Sequence, residues 1–173
     1  MAHSRRIGCR LAAVALALTS VGALAAAAAA QNHAAGSLVV EGKPIAISQV
    51  YAFAQQGFFD DKKQDVVILL CDAPVPPAAI RDEFARADLV KAGKLHCIEQ
   101  TIDADRQVIN YKVQHDRFHR PEGGGSTEHR FDATTFDGKT IAGRAWTRSP
   151  QKSFDDVPYS YDVTISAAIE PRK

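Results

Sequence analysis

Residues 113–129, VQHDRFHRPEGGGSTEH, concentrate side chains that can bind a metal: three histidines, two glutamates and one aspartate. His115 ends one stretch of alternating apolar residues and His129 begins another, with three glycines between them. If the two stretches pair as antiparallel strands, the β-carbons of these histidines lie ~5 Å apart, close enough to share a zinc ion. The segment therefore offers a metal site on His115 and His129 as one of two interpretations.

A zinc site requires at least one further protein ligand. Four side chains are available, and their spacing selects none of them: His96, His119, Glu122 and Glu128. A metal-dependent hydrolase would also need a general base, for which Glu122 or Glu128 is the local option. The interpretation that we favour is that His115 and His129 lie at the rim of the core, bond to neighbouring groups and bind no metal. Either arrangement would make the domain pH-sensitive, because imidazole titrates near pH 6.5.

Arg144 and Trp146, within TIAGRAWT, form a second set with binding chemistry. Their separation of two residues places them on one face of a strand. A guanidinium beside an aromatic ring suits an anionic or sugar ligand. The more common arrangement is that such an arginine extends over the core and pairs with a surface carboxylate. The chain has no nucleophile elbow and no phosphate-binding loop, and apart from the alternative zinc ion we expect no cofactor.

These residues lie in a chain patterned mainly as β-strands. VVILLC is a continuous apolar run, typical of a strand buried on both faces, whereas YSYDVTISAAI alternates between apolar and polar residues. Gly42 and the Asp137-Gly138 pair mark hairpin turns. Two prolines and Gly93 bound a helix over residues 77–92. We therefore expect a mainly β fold, either an antiparallel β-sandwich or a curved sheet of about seven to eight strands with one short helix.

The first thirty residues have the pattern of a cleaved signal peptide. Three arginines precede the apolar residues 11–24, and an alanine run follows. This apolar stretch is shorter than the ~20 residues of a membrane-spanning helix, so we expect a periplasmic or secreted protein that does not span a membrane. Residues 31–36 would then be a flexible tail, and residues 37–173 a single β-rich domain.

Loss of residues 1–30 also changes the charge of the protein. Three arginines and no acidic residue are removed, which shifts the formal net charge from +1 to −2. No basic surface for nucleic acid is expected. Two cysteines remain, Cys71 and Cys97, and in an oxidising compartment such a pair predicts a disulfide. The alternative is two buried thiols, because both cysteines lie in apolar surroundings.

Several short phrases occur in a fixed order along the chain: GKPIAI, VVILLCDAPVP, KAGKLHCIE, TTFDGKTIAGR and DVPYSYDVTI. In these phrases, which extend over roughly residues 37–169, the chain resembles a group of small exported bacterial proteins of unknown function. The resemblance implies a β-rich architecture and no particular activity.

Our main hypothesis is an exported, non-enzymatic domain that binds a protein partner or a small ligand in the cell envelope. The alternative is a metal-binding protein or a metal-dependent hydrolase that uses His115 and His129.

Overall fold

The computed structural model describes residues 32–172, so the predicted signal peptide lies outside the described residues. The described part contains eleven strands, one α-helix and one short 3₁₀ helix. The strands are β1 His33–Val40, β2 Lys43–Ile47, β3 Gln49–Gln56, β4 Gln64–Cys71, β5 Cys97–Ile102, β6 Val108–Gln114, β7 Glu122–Gly124, β8 His129–Phe136, β9 Thr140–Thr147, β10 Gln151–Lys152 and β11 Pro158–Glu170. Helix α1 spans Glu83–Lys91, and the 3₁₀ helix spans Pro77–Ala79.

The strands form one open, mostly antiparallel sheet in the order β2-β1-β11-β3-β4-β5-β6-β7. In addition, β11 pairs with β9 and β10, and β9 pairs with β8. The long strand β11 joins β1, β9 and β10 to the strands that begin with β3, because its last two residues pair in parallel with β3. The mainly β class with one α-helix is confirmed. The sheet has more strands than the predicted seven to eight, because the strand expected after the turn at Gly42 is divided into β2 and β3, and because β7 and β10 are too short to show a periodic pattern.

Strand β4 is buried on both faces, as its apolar run predicts. Val66, Ile68 and Leu70 face a large cluster that also contains buried residues of β11 and β9. Leu69 and Cys71 face the opposite way, into a smaller cluster that includes Val90 of α1 and other residues of the β4–β5 connection. The helix therefore covers one end of the outer sheet face, while the main core lies on the inner face.

Two predicted boundaries are wrong. Helix α1 begins after Asp82, whose side chain accepts hydrogen bonds from the backbone N–H groups of Phe84 and Ala85 at 2.9 and 3.1 Å. The prolines before it begin the separate 3₁₀ turn instead of the α-helix. Residues 33–36, expected in a flexible tail, belong to β1, because β11 is long enough to pair with them.

Cys71 and Cys97 form a disulfide bond, as the sequence predicts. They occupy directly opposed positions of β4 and β5, with their Cα atoms 4.3 Å apart. This separation suits a non-hydrogen-bonded pair of an antiparallel ladder. None of the helices between residues 32 and 172 has the length and apolar composition needed to cross a membrane.

Candidate metal centre

Three neighbouring strands bring polar side chains together at one end of the sheet. Cys71, Cys97 and Gln114 lie opposite one another on β4, β5 and β6. The residues one position beyond this row are Asp72, His96 and His115. Because neighbouring antiparallel strands alternate in direction, the residue after β4, the residue before β5 and the residue after β6 meet at the same edge.

Asp72 and His96 are joined by three hydrogen bonds. The Asp72 N–H donates to the His96 carbonyl at 3.2 Å, and the His96 N–H donates to Asp72 Oδ1 at 2.8 Å. His96 Nδ1 lies 2.7 Å from Asp72 Oδ2. Since an ionised carboxylate only accepts, Nδ1 carries a proton, and it is the tautomer protonated at Nδ1 alone that leaves a lone pair on Nε2. That Nε2 atom lies 3.4 Å from Asp116 Oδ1.

His115 is buried beside this pair. Its Nδ1 accepts a hydrogen bond from the Arg117 N–H at 2.9 Å and lies 3.0 Å from Asp116 Oδ1. Burial lowers the pKa of His115, and the neighbouring His96 lowers it further. The ring is therefore neutral at neutral pH, which is the form that binds metals. The rings of His96 and His115 lie close together, with centroids 4.4 Å apart.

We call His96, His115 and Asp116 the candidate metal centre. They form the one group in residues 32–172 in which three potential ligand atoms all lie within 4.8 Å of one another. When both rings are neutral, these three atoms offer lone pairs that either a shared proton or a metal ion can bridge. Two imidazole nitrogens and one carboxylate oxygen suit zinc and similar transition metals.

Coordination through His115 Nδ1 would replace its hydrogen bond from Arg117. A typical hydrogen bond contributes about 1 kcal/mol to stability. Structural zinc sites, by contrast, bind with about 10–16 kcal/mol at neutral pH. The loss of this bond therefore does not prevent metal binding at that nitrogen.

His129 lies elsewhere, and the prediction that it pairs with His115 is wrong. Strand β8 pairs with β9, while β6 pairs with β5 and β7, so the two histidines are not cross-strand neighbours. His129 is buried and stacks on Tyr111, with ring centroids 3.4 Å apart. Its Nδ1 lies 2.8 Å from the Tyr161 hydroxyl, and its Nε2 lies 3.3 Å from the Tyr159 hydroxyl. Burial lowers its pKa to about 4. His129 is therefore a neutral core histidine whose ring nitrogens are both hydrogen-bonded.

The other predicted ligands are not brought into the centre. His119 lines a small pocket that His115 and Asp116 also line. Glu122 is buried, and its two carboxylate oxygens accept hydrogen bonds from the Tyr111 hydroxyl and from the Phe154 N–H. Glu128 accepts a hydrogen bond from the Ser149 hydroxyl. Neither glutamate belongs to the centre or to the lining of that pocket.

Arg144 and Trp146 share one face of β9, as predicted, with the guanidinium 4.8 Å from the ring centroid. The guanidinium donates two hydrogen bonds to Asp162, at 2.7 and 2.6 Å. The indole N–H donates to Asp132 at 2.7 Å. Both polar groups are thus paired with surface carboxylates, which matches the alternative interpretation of this face. The pair lines an open groove of about 250 Å³, in which the charge of Arg144 is already neutralised.

Sequence reasoning missed Asp72 and Asp116, and it included His96 only as one of four options for a third ligand. The signal that identifies Asp72 and His96 is their adjacency to Cys71 and Cys97: a disulfide between the cysteines places their chain neighbours opposite each other. No protein-family model matches the chain, and the comparisons with curated proteins and with solved structures give no significant match.

Proposed function

We propose that this protein is an exported β-rich domain that binds one divalent transition-metal ion, zinc foremost, at the candidate metal centre. The observation that carries the proposal is the convergence of His96 Nε2, His115 Nδ1 and Asp116 Oδ1. Two nitrogen donors disfavour calcium and magnesium, which prefer sites built from oxygen ligands. The same donor set is typical of zinc bound by histidine and carboxylate.

Asp72 supplies the outer contact that histidine ligands usually have. Histidines that bind metals commonly donate their second N–H to a carboxylate, which fixes the ring and makes the coordinating nitrogen more basic. Asp72 does this for His96 Nδ1 at 2.7 Å and also holds the His96 backbone. His96 is therefore oriented before any metal arrives, and less side-chain freedom is lost on binding.

The arrangement favours metal binding over hydrolysis. A hydrolase would need a general base within hydrogen-bond reach of a metal-bound water. Glu122 uses both carboxylate oxygens in bonds within the fold, and Glu128 bonds Ser149. We therefore retain the non-enzymatic part of the main hypothesis and place its binding site at the metal centre instead of at Arg144 and Trp146.

Export is the second part of the proposal. It rests on the signal-peptide pattern of residues 1–30, and it agrees with the Cys71–Cys97 disulfide, since such bonds persist mainly in oxidising compartments. We propose the periplasm or the medium as the location of the mature protein.

The test is a zinc titration of the purified protein, made without a histidine tag and stripped of metal with a chelator. We expect one zinc per chain by calorimetry and by mass spectrometry, with a higher melting temperature in zinc than in chelator. His96→Ala and His115→Ala should each weaken zinc binding at least tenfold, because each removes a ligand. His33→Ala is the matched control, since His33 is an exposed histidine on β1. Absence of stoichiometric zinc, or equal weakening by His33→Ala, would overturn the proposal.

A further inference from the structure

A small pocket adjoins the candidate metal centre. It has a volume of about 50 Å³ and lies between α1 and the segment that follows β6. Two residues of the centre, His115 and Asp116, form part of its wall. A cavity needs only about 10–15 Å³ of such volume to hold one water molecule. The pocket therefore has room for a group of a few heavy atoms next to the metal.

Gln114, one of the residues that line this pocket, has a buried side-chain group that lacks a partner. Its side chain is only 2% exposed, and its Oε1 accepts a hydrogen bond from Arg86 Nε at 3.1 Å. The guanidinium fixes the orientation of the amide, because a flipped amide would turn its NH₂ group toward another donor. Gln114 Nε2 then has no hydrogen-bond partner among the described residues. A buried donor left in this way is unfavourable unless a bound molecule accepts from it.

The pocket lining is also cationic. Lys91 at the end of α1 and Arg120 both line it, and the Arg120 guanidinium is held over the Phe154 ring, 4.0 Å from the ring centroid. The carboxyl end of α1 opposes an anion, and a helix end of this kind changes affinity by up to about fivefold at an exposed site and up to about thirtyfold at a partly buried one. Two side-chain cations and a bound metal outweigh that effect.

We propose that the pocket binds the head group of a small oxyanion, a carboxylate or a phosphate, with one oxygen on the metal and another accepting from Gln114 Nε2. This inference rests on the proposed metal site, in which three protein ligands leave a fourth position open. The pocket volume limits what is enclosed to the anionic head group, so any larger part of the ligand extends outside.

Cobalt(II) is the probe for the test, because its visible absorption bands report a change in its ligands. The metal-free protein is loaded with one equivalent of cobalt and then titrated with acetate and, separately, with inorganic phosphate. We expect a saturable change of the cobalt bands with at least one of the two anions. A change with acetate alone assigns a carboxylate ligand, and a change with phosphate alone assigns a phosphate.

Gln114→Glu is the main variant. It keeps an acceptor for Arg86 but replaces the pocket donor with a carboxylate oxygen, so the Kd for the anion should rise at least about tenfold while cobalt still binds. Gln107→Glu, on an exposed turn, adds the same charge outside the pocket and is the matched control. Arg120→Gln, which leaves Gln114 intact, should weaken anion binding several-fold even if Gln114→Glu fails to fold.

The outcomes separate the two proposals. Stoichiometric cobalt whose bands respond to neither anion would overturn the anion site and leave the metal site standing. An anion that binds equally well with and without cobalt, or equally well to Gln114→Glu and to the parent protein, would also overturn it. Failure to bind cobalt or zinc at all would overturn the proposed function and this inference together.

Discussion

Asp72 and His96 face each other across the ends of β4 and β5, one position beyond the Cys71–Cys97 disulfide. The backbone of each residue bonds the other, and His96 Nδ1 lies 2.7 Å from Asp72 Oδ2. The disulfide is buried on the outer face of the sheet, where it packs against residues of α1. A covalent link thus stands directly beside the hydrogen bonds that orient a candidate metal ligand.

Asp72→Asn tests the outer contact of the metal centre. The amide keeps the size of the side chain but removes the charge that holds the His96 N–H and makes Nε2 more basic. We expect zinc affinity to fall about 10–100-fold, as for other outer contacts of metal-binding histidines. Calorimetric titration with zinc measures the change. Asp61→Asn, in the exposed 57–63 loop, is the control, and an equal loss in that variant would assign the effect to net charge alone.

Removal of the disulfide should affect both stability and metal binding. The bond closes a loop with a sequence separation of 26, and on the chain-entropy model such a bond stabilises the fold by about 3.5 kcal/mol. A Cys71→Ala, Cys97→Ala double variant should therefore unfold at lower urea concentration. It should also bind zinc more weakly, because the ends of β4 and β5 gain freedom.

A reducing agent supplies the control for the disulfide. It should reproduce both effects in the parent protein and leave the double variant unchanged. Weaker zinc binding in the double variant without any effect of reduction on the parent would contradict the role given to the bond, and would point to the substitutions themselves.

Much of the fold follows from local pattern. The apolar run of β4, the alternation of β11 and the turn at Gly138 each predict an element that the structure contains. The disulfide follows from counting cysteines. Strands of two or three residues, such as β7 and β10, carry too few residues for a periodic pattern to identify them.

The site was less predictable, because it depends on strand order. His115 directly follows β6 and His129 begins β8, and the sequence pattern of these two long strands favours their pairing. The short strand β7 occupies the place beside β6 instead, and β8 pairs with β9. His96 is 19 residues before His115 in the chain, yet it becomes a neighbour because β5 pairs with β6. Residue types alone do not predict which strands pair in the sheet.

Arg86 is the most deeply buried charged side chain on the outer sheet face, at 1% exposed. Its guanidinium donates to the carbonyls of Ala79 and Ile80 and forms an ion pair with Glu99. Arg86→Met removes these bonds and leaves the largely buried Glu99 carboxylate without its partner. Breaking a buried pair in this way costs about 3–5 kcal/mol, and we expect a loss near the lower value because Glu99 keeps some exposure.

Urea denaturation of Arg86→Met gives this loss directly. Arg81→Met is the matched control, because Arg81 pairs with the exposed Glu170 at 3.4 Å. A surface pair of that kind contributes about 0–1 kcal/mol. Similar losses in the two variants would show that the Arg86 network does not anchor α1 to the sheet.

The lowered pKa of His129 predicts that the protein loses stability in mild acid. Its pKa is about 4 in the folded protein, against 6.5 for the free side chain. Between these values the unfolded chain takes up a proton that the folded chain does not, so the free energy of unfolding falls as the pH drops from about 6.5 towards 4. The full pKa shift contributes about 3 kcal/mol to the free energy of unfolding, and this contribution is fully retained above pH 6.5. The lowered pKa of His115 acts in the same direction.

Urea unfolding of His129→Gln at several pH values between 4 and 8 isolates this contribution. Glutamine does not titrate, and its amide can still bond the hydroxyls of Tyr159 and Tyr161. The variant should be less stable than the parent at pH 8, because the ring stacked on Tyr111 is lost. Its stability should nevertheless fall less steeply towards pH 4, while His33→Gln, at an exposed position, should follow the parent curve. If the curves of His129→Gln and the parent run parallel across this range, His129 does not take up the proton that destabilises the fold.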